Sequence, residues 1–272
     1  MRKHGLLVTM TLLIAACSKA ETPQVAELPS IEVRAANYVF DAPAAVSSGP
    51  IEIKLFNEGP EPHQAQLFKL NADVKAKQVV SAAGTDAGVE ALGTFAGGPN
   101  AVDAGESQVA TTEIPPGSYV LMCLVPDTKG RSHASLGMVK AITVEQNDED
   151  VRAPTATYTA TTKDFDFEFP DAWTGSITVN NIGEEEHEFQ IMEIAKGKTE
   201  KDFLDSFKSG AAETDPPPWE TGGGVAVIPP GSSNTFEANV APGTYFLMCF
   251  VFSPTKMAPH FAIGMLKKFV VP

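Results

Sequence analysis

The segment SYVLMCLVPDTKGRSHASLGM (Ser118–Met138) joins an apolar, β-rich run to a loop that ends in His, Gly and Met. The segment TYFLMCFVFSPTKMAPHFAIGM (Thr244–Met265) repeats that order about 125 residues later. Side chains alternate along a strand, so a Cys near the strand end can point inward while the following loop folds back over it. Each segment therefore predicts a strand and a loop that bring a Cys, a His and a Met to one place.

A second repeated stretch lies upstream of each of these segments. NEGPEPHQAQLFKL (Asn57–Leu70) aligns with NIGEEEHEFQIMEI (Asn181–Ile194), and each carries one His. The separation between that His and the following Cys is 60 residues in the first half and 62 in the second. The agreement indicates an internal duplication, with a boundary near the charged stretch QNDEDVRAP (Gln146–Pro154).

The histidines and cysteines of the chain fall almost entirely into this repeat. Apart from His4 and Cys17 near the start, every His and Cys belongs to it. One thiolate, two imidazoles and a long thioether are the ligands of a blue-copper electron-transfer site. We therefore predict one copper ion per half, with ligands His63, Cys123, His133 and Met138 in the first half and His187, Cys249, His260 and Met265 in the second.

Short β-rich runs separated by turn signals dominate both halves. IEIKLFN (Ile51–Asn57) and SITVNN (Ser176–Asn181) are typical of strands, and turn residues such as PPG and APG separate such runs. One helix is expected in each half between the upstream His and the Cys. The second should begin at Thr199, which forms a capping box with Asp202. The pattern predicts an all-β fold of two tandem Greek-key β-sandwiches, each with a short inserted helix.

The first residues are typical of an export signal. Gly5–Ala16 is an apolar run too short to span a bilayer, and LIAAC (Leu13–Cys17) resembles a bacterial lipobox. Lipid on Cys17 would anchor the protein in the cell envelope on the periplasmic side, and Ser18 favours the outer membrane in a Gram-negative host. An ordinary signal peptide with an incidental Cys17 is the alternative. The predicted organisation is a signal peptide over 1–17, a flexible tether over 18–29 and domains over 30–146 and 154–272.

The charge of the chain limits its partners. The formal net charge is −14 at pH 7, and removal of a leader with two basic and no acidic residues brings it to −16. Nucleic acid and anionic lipid headgroups are therefore not expected as partners. The expected partners are a redox protein or a copper donor or acceptor, and the membrane through the lipid anchor.

Each half resembles a cupredoxin, the blue copper fold, over essentially all of residues 30–272. The resemblance is carried by the Cys at a strand end, by the His-x4-Met loop with Gly before the Met, and by the Asn-x-Gly turn before the upstream His. It implies the same eight copper ligands. The loops of nine and ten residues between Cys and His are longer than those of small electron carriers in the family. Gln64 and Glu188 stand where many members place Asn after the upstream His.

Four functions are compatible with this resemblance. The first is an exported electron carrier with one mononuclear copper per domain. The others are a copper delivery, storage or resistance protein, a metal-free interaction module, and an enzyme of the nitrite reductase or multicopper oxidase kind. A catalytic copper centre needs further His, and none is unassigned, so the chain alone is not expected to be an enzyme. A disulfide between Cys123 and Cys249 is the alternative to two thiolate ligands.

Overall fold

The computed structural model of the protein describes residues 28–85, 88–171, 173–208, 216–238 and 240–271. Strands account for most of its regular structure, and only two short α-helices are found in these ranges. The all-β prediction is confirmed. The predicted signal peptide, the proposed lipidation site Cys17 and residues 18–27 of the tether lie outside the described residues.

Nine strands and one α-helix make up the first half. They are β1 (Ser30–Ala36), β2 (Val39–Asp41), β3 (Ala45–Ser47), β4 (Gly49–Asn57), β5 (Gln66–Leu70), α1 (Ala76–Ala82), β6 (Gly93–Phe95), β7 (Ser107–Ile114), β8 (Gly117–Met122) and β9 (Val139–Glu145), with 3-10 turns at Glu90–Leu92 and His133–Leu136.

The second half has a similar order of elements, and it begins after a segment without helix or strand that contains the predicted boundary at 146–154. Its elements are β10 (Tyr158–Lys163), β11 (Asp166–Glu168), β12 (Gly175–Asn181), β13 (His187–Ile194), α2 (Glu200–Ser206), β14 (Trp219–Ile228), β15 (Ser233–Ala238), β16 (Gly243–Met248), β17 (Phe252–Ser253), β18 (Ala258–Pro259) and β19 (Leu266–Val271), with a 3-10 turn at His260–Ile263. The division into two domains stays a prediction.

One large sheet runs through both halves. Its strand order is β11-β10-β12-β15-β7-β4-β1-β2, and the antiparallel pair β15–β7 joins the halves at its centre. The sheet β3-β9-β8-β5-β6 belongs to the first half, and the sheet β14-β13-β16-β19 belongs to the second. Each smaller sheet covers its own half of the large one, so the molecule has two sandwiches that share a layer.

The two apolar cores lie between these layers. In β1 and β4 alternate residues are buried, as expected for strands with one face on a core. Ile53 and Leu55 of β4 pack with Leu121 of β8 in the first core. Ile177 of β12 packs with Phe189 of β13 in the second. Each such side chain contributes about 1.5–3 kcal/mol on burial, so both cores stabilise the positions of the strands that carry the site.

The two helices pack on the outer faces of the smaller sheets. Val79 of α1 packs with Val120 and Met122 on the outer face of the sheet β3-β9-β8-β5-β6. Phe203 of α2 stacks on Phe246 of β16, with ring centroids 4.2 Å apart. The Thr199 side chain accepts a hydrogen bond from the Asp202 backbone N–H, and the Asp202 carboxylate accepts one from the Thr199 N–H. The predicted start of α2 is therefore confirmed. Among the described residues, no helix has the length and apolar character to cross a bilayer.

Two equivalent glutamines form hydrogen bonds between the halves. The Gln66 amide donates to Val227 O at 3.0 Å, and its oxygen accepts from Val227 N at 2.7 Å. The Gln190 amide likewise donates to Ala101 O at 3.2 Å and accepts from Ala101 N at 3.1 Å. Both side chains are buried, so the bonds are made without competition from water. The interface is thus specified by polar contacts as well as by the shared sheet.

Candidate metal centres

Cys123 and Cys249 come directly after the last residue of β8 and β16 and are fully buried. Strand alternation decides which way they point. In β8, Leu121 shares the sandwich core with Cys123, whereas Val120 and Met122 pack under α1. The two cysteines lie in different cores, and neither forms a disulfide. Each sulfur is therefore directed into the interior of its own sandwich.

The loop after each Cys is held by backbone hydrogen bonds that follow the same pattern in both halves. In the first half Cys123 O accepts from Ala134 N at 2.7 Å, and Val125 O accepts from His133 N at 2.9 Å. Met138 N donates to His133 O at 2.9 Å, and Cys123 N donates to Met138 O at 3.3 Å. The corresponding donor–acceptor pairs in the second half are Phe261 N–Cys249 O, His260 N–Val251 O, Met265 N–His260 O and Cys249 N–Met265 O. The backbone thereby returns His and Met to the Cys.

The Asn-x-Gly turn positions the upstream His. The Asn57 side chain accepts from Gly59 N at 2.9 Å and donates to Glu61 O at 2.8 Å and to Val102 O at 2.9 Å. His63 pairs with Val102 through two backbone hydrogen bonds. The Asn181 side chain makes the same three bonds: it accepts from Gly183 N and donates to Glu185 O and to Ile228 O. One buried amide therefore fixes the approach of each upstream His.

The glycines of these turns leave room for the imidazoles. A Cβ on Gly59 would lie 2.7 Å from His63 Nε2, and one on Gly183 would lie 2.8 Å from His187 Nε2. Carbon and nitrogen do not approach so closely without a shift. The Gly of the sequence motif is thus needed for close packing against the ring.

In the first half, three donor atoms converge. His63 Nδ1 and His133 Nδ1 are 3.1 Å apart, and Cys123 Sγ lies 3.8 Å from the former and 3.4 Å from the latter. All three side chains are buried. We call this group, together with Met138, the first centre.

In the second half, the equivalent atoms converge with nearly the same separations. His187 Nδ1 and His260 Nδ1 are 3.0 Å apart, and Cys249 Sγ lies 4.0 Å and 3.4 Å from them. These residues are buried as well. We call this group, together with Met265, the second centre.

These separations fit a bound metal ion. Bonds from a metal to imidazole nitrogen and thiolate sulfur are about 2.0–2.1 Å and about 2.3 Å long in zinc sites, which leaves donors on one ion about 3–4 Å apart. Both groups meet this condition, with all donor atoms within 4.8 Å of one another. Thiolate, imidazole and thioether are soft and borderline donors, and the two groups support copper, one ion in each.

Burial sets the protonation of these ligands. It raises the pKa of the Cys123 thiol to about 12, although backbone N–H groups of Gln64 and Val125 oppose the shift, and it raises the pKa of Cys249 well above its usual value. Burial also lowers the pKa of His63 to about 4, with a further contribution from His133. At neutral pH the free centre thus holds a thiol and a neutral His63, and a metal would displace the thiol proton.

Met138 and Met265 are fully buried in the same apolar clusters as Cys123 and Cys249. Their backbones bond to the Cys and His of their own centre, as described above. Both thioethers therefore belong to the interior around the centres, and their assignment as axial ligands stays a prediction.

The outer nitrogens of the imidazoles distinguish the two centres. In the second centre His187 Nε2 lies 2.8 Å from Asp164 Oδ1, and His260 Nε2 lies 3.0 Å from Glu185 Oε2. In the first centre neither Nε2 has a hydrogen-bond partner among the described residues. Carboxylates that accept from a ligand imidazole orient the ring and raise its basicity. The second centre is the better supported and the more negative of the two.

A tyrosine explains why His133 of the first centre has no carboxylate partner. Glu61, the equivalent of Glu185, lies 3.4 Å from His133 Nε2 without hydrogen-bond geometry, and it accepts instead from the Tyr38 hydroxyl at 2.7 Å. Phe165 occupies the place of Tyr38 in the second half and packs on His260. Because Phe has no hydroxyl, nothing at this position draws the carboxylate away from the imidazole.

Glu188 is a buried acid beside the second sulfur. Its backbone N–H donates to Cys249 Sγ at 3.4 Å, as Gln64 N does to Cys123 Sγ at 3.5 Å. Its side chain accepts from Phe250 N at 2.7 Å and from the Asn100 amide at 3.0 Å. Burial raises the pKa of Glu188, and these two hydrogen bonds oppose the shift.

Sequence reasoning missed the carboxylate partners of the second centre. Asp164 lies in the hairpin between β10 and β11, far along the chain from His187. Glu185 was visible in the motif NIGEEEH, where the acidic run before the His was the available signal.

No family model and no curated protein matches the chain. An auracyanin from the photosynthetic bacterium Roseiflexus castenholzii is 24% identical, with a TM-score of 0.32, over 43% of this chain and 96% of that one. Auracyanin A, a "blue" copper protein of Chloroflexus aurantiacus, is 21% identical, with a TM-score of 0.32, over 44% and 100%. Copper nitrite reductase from Nitrosomonas europaea is 13% identical, with a TM-score of 0.27, over 90% and 94%. Because these values are low, the fold assignment rests on the strands and sheets of this chain.

Proposed function

We propose that the protein is a copper-binding electron-transfer protein with one mononuclear blue-copper-type centre in each half. The observation that carries the proposal is the convergence of a buried thiol and two imidazole nitrogens at equivalent places in both sandwiches. His63, Cys123 and His133 would hold one ion, and His187, Cys249 and His260 the other. Met138 and Met265 would supply the axial thioethers.

The rigid surroundings support electron transfer over copper delivery. All six of these His and Cys side chains lie between two sheets and are at most 1% exposed. Ligands that cannot move change little when a bound ion changes its redox state, and they release the ion slowly. A bound copper would supply one-electron redox chemistry, and the chain supplies a dry and fixed environment for it.

The residue inventory supports a carrier rather than an enzyme. The four His outside the leader all belong to the two centres, so no His is left for a separate catalytic copper. The protein would therefore exchange electrons with a redox partner whose identity is open.

The test is addition of Cu(II) to purified protein that lacks the leader. We expect an intense visible thiolate-to-copper band that saturates at two equivalents of copper. Tight Cu(I) binding without that band would support a copper delivery or storage protein instead. If neither valence binds, the chain is a metal-free module and the proposal fails.

We also propose that the protein is exported and anchored by lipid on Cys17. The support is the lipobox-like sequence LIAAC (Leu13–Cys17) after a short apolar run. Expression of the full chain should give a membrane-bound form whose mass includes acyl chains. Cys17→Ser should release it, and an unmodified, soluble wild type would contradict the anchor.

A further inference from the structure

A continuous chain of bonds joins the two sulfur atoms through the interface between the halves. Asn100 belongs to the first half, and its side-chain amide donates to the Glu188 carboxylate of the second half at 3.0 Å. Glu188 N donates to Cys249 Sγ at 3.4 Å. The interface contact therefore ends directly at the sulfur of the second centre.

The same chain continues to the sulfur of the first centre. Pro99, which precedes Asn100, accepts a hydrogen bond from Ala65 N at 3.0 Å through its carbonyl oxygen. The residue before Ala65 is Gln64, whose N–H donates to Cys123 Sγ at 3.5 Å. Apart from four hydrogen bonds, the connection between the sulfurs consists of covalent bonds only.

We infer that the Glu188–Asn100 contact is the electron path between the two centres, an inference that rests on the proposed function. Electrons pass more readily along covalent and hydrogen bonds than across gaps between atoms. With copper held by the ligands of both centres, one electron would pass from the reduced ion to the oxidised ion, and no bond would be made or broken.

The carboxylate is held on both of its oxygens. Besides the bond from Asn100, it accepts from Phe250 N at 2.7 Å, and Phe250 directly follows Cys249. Two routes from Cys249, through the sulfur and through the peptide, thus meet at one buried side chain. A buried acid is costly unless hydrogen-bonded, so both bonds are needed to keep Glu188 in this place.

The contact exists on one side of the interface only. Val102 pairs with His63 as Ile228 pairs with His187, so Asn100 corresponds to Ala226 of the second half. The matching backbone bonds Asn100 N–Gly224 O and Ala226 N–Gly98 O confirm this correspondence. An Ala cannot bond to the side chain of Gln64. Among the described residues, the side-chain bond between Asn100 and Glu188 therefore has no counterpart on the other side of the interface.

The charges around the two centres determine the expected direction of electron transfer. Asp164 and Glu185 place negative charge on the imidazoles of the second centre, which favours its oxidised ion, while the first centre lacks such bonds. Electrons are therefore expected to move from the second centre to the first.

The test is intramolecular electron transfer in the full copper-loaded protein after a pulse of a one-electron radical reductant in substoichiometric amount. The spectra of Cys123→Ser and Cys249→Ser identify the two centres. If their bands coincide, Met265→Gln is introduced into every protein compared, because the axial ligand tunes such a site. We expect a phase whose rate does not depend on protein concentration.

Asn100→Leu should slow this phase severalfold, because it removes the amide that bonds to Glu188 and to Val225 O, at similar side-chain volume. Thr221→Val is the matched control. It removes the hydroxyl bond to Asp103, which also crosses the interface at 2.8 Å but does not lie between the sulfurs, and it should keep the wild-type rate. Asn100→Ser replaces the Leu variant if the latter does not fold.

Two results would overturn the inference. One is a wild-type rate in Asn100→Leu with both centres coloured, and the other is the absence of any concentration-independent phase in coloured wild-type protein. A colourless protein would instead refute the proposed function. Visible spectra of both centres and thermal unfolding of the apoprotein, recorded for every variant, distinguish loss of the path from damage to a centre.

Discussion

The two centres have nearly the same inner donors and different outer partners. The separation between the two Nδ1 atoms is 3.1 Å in the first and 3.0 Å in the second. Among the described residues, a carboxylate is hydrogen-bonded to each imidazole in the second centre and to neither in the first. Duplication has thus kept the atoms that would touch a metal and changed those that tune it.

The largest expected effect is the loss of one whole centre. Cys123→Ser and Cys249→Ser each remove the only thiol of a centre, so each variant should bind one copper in the thiolate-coloured form and lose about half of the visible absorbance. Copper analysis with the visible spectrum measures this. A variant that keeps the full spectrum would show that its half was assigned wrongly.

Removal of the carboxylates should make the second centre resemble the first. A unit charge about 6 Å from a metal contributes about 3 kcal/mol at an effective dielectric constant of about 20. Asp164→Asn with Glu185→Gln removes two such charges and should therefore raise the potential of the second centre by roughly 250 mV at most. Spectroelectrochemistry in the Cys123→Ser background gives the value, and an unchanged or lower potential would contradict the tuning.

Removal of one hydroxyl should make the His133 side of the first centre resemble the second centre. Tyr38→Phe frees Glu61 to accept from His133, and we expect the potential of the first centre to fall by roughly 50 mV. The Cys249→Ser background isolates that centre. Phe165→Tyr is the reciprocal variant and should shift the second centre upward. If both variants leave the potentials unchanged, the tyrosine does not cause the difference.

The smallest effect is expected in proton release at the first centre. Burial raises the pKa of the Cys123 thiol to about 12, lowers the pKa of His63 to about 4 and lowers the pKa of His133, so near neutral pH only the thiol has to lose a proton. In the Cys249→Ser background, binding of Cu(II) should therefore release about one proton per ion between about pH 6 and pH 8. Titration in weakly buffered solution measures the release. Two protons per ion would show that a ligand imidazole is also charged in the free protein.

The sequence was sufficient to predict what depends on local pattern. Strand alternation placed Cys123 and Cys249 facing the cores, and Thr199 with Asp202 marked the start of α2. The spacing of the repeat predicted which His would approach each Cys, and the structure brings them together.

Contacts between distant parts of the chain were not predictable in this way. The pairing of β15 with β7, which joins the two sandwiches, depends on the shapes of both halves. The hydrogen bond between Asp164 and His187 depends on where the turn between β10 and β11 lies relative to that His. Local signals in a sequence contain no information about either distance.

The most direct test is a redox titration of the protein loaded with two equivalents of copper, followed at the thiolate-to-copper band. We predict two one-electron steps, of which the step at lower potential is absent from Cys249→Ser. Loss of that lower step in Cys123→Ser instead, or a protein without the band, would contradict the account.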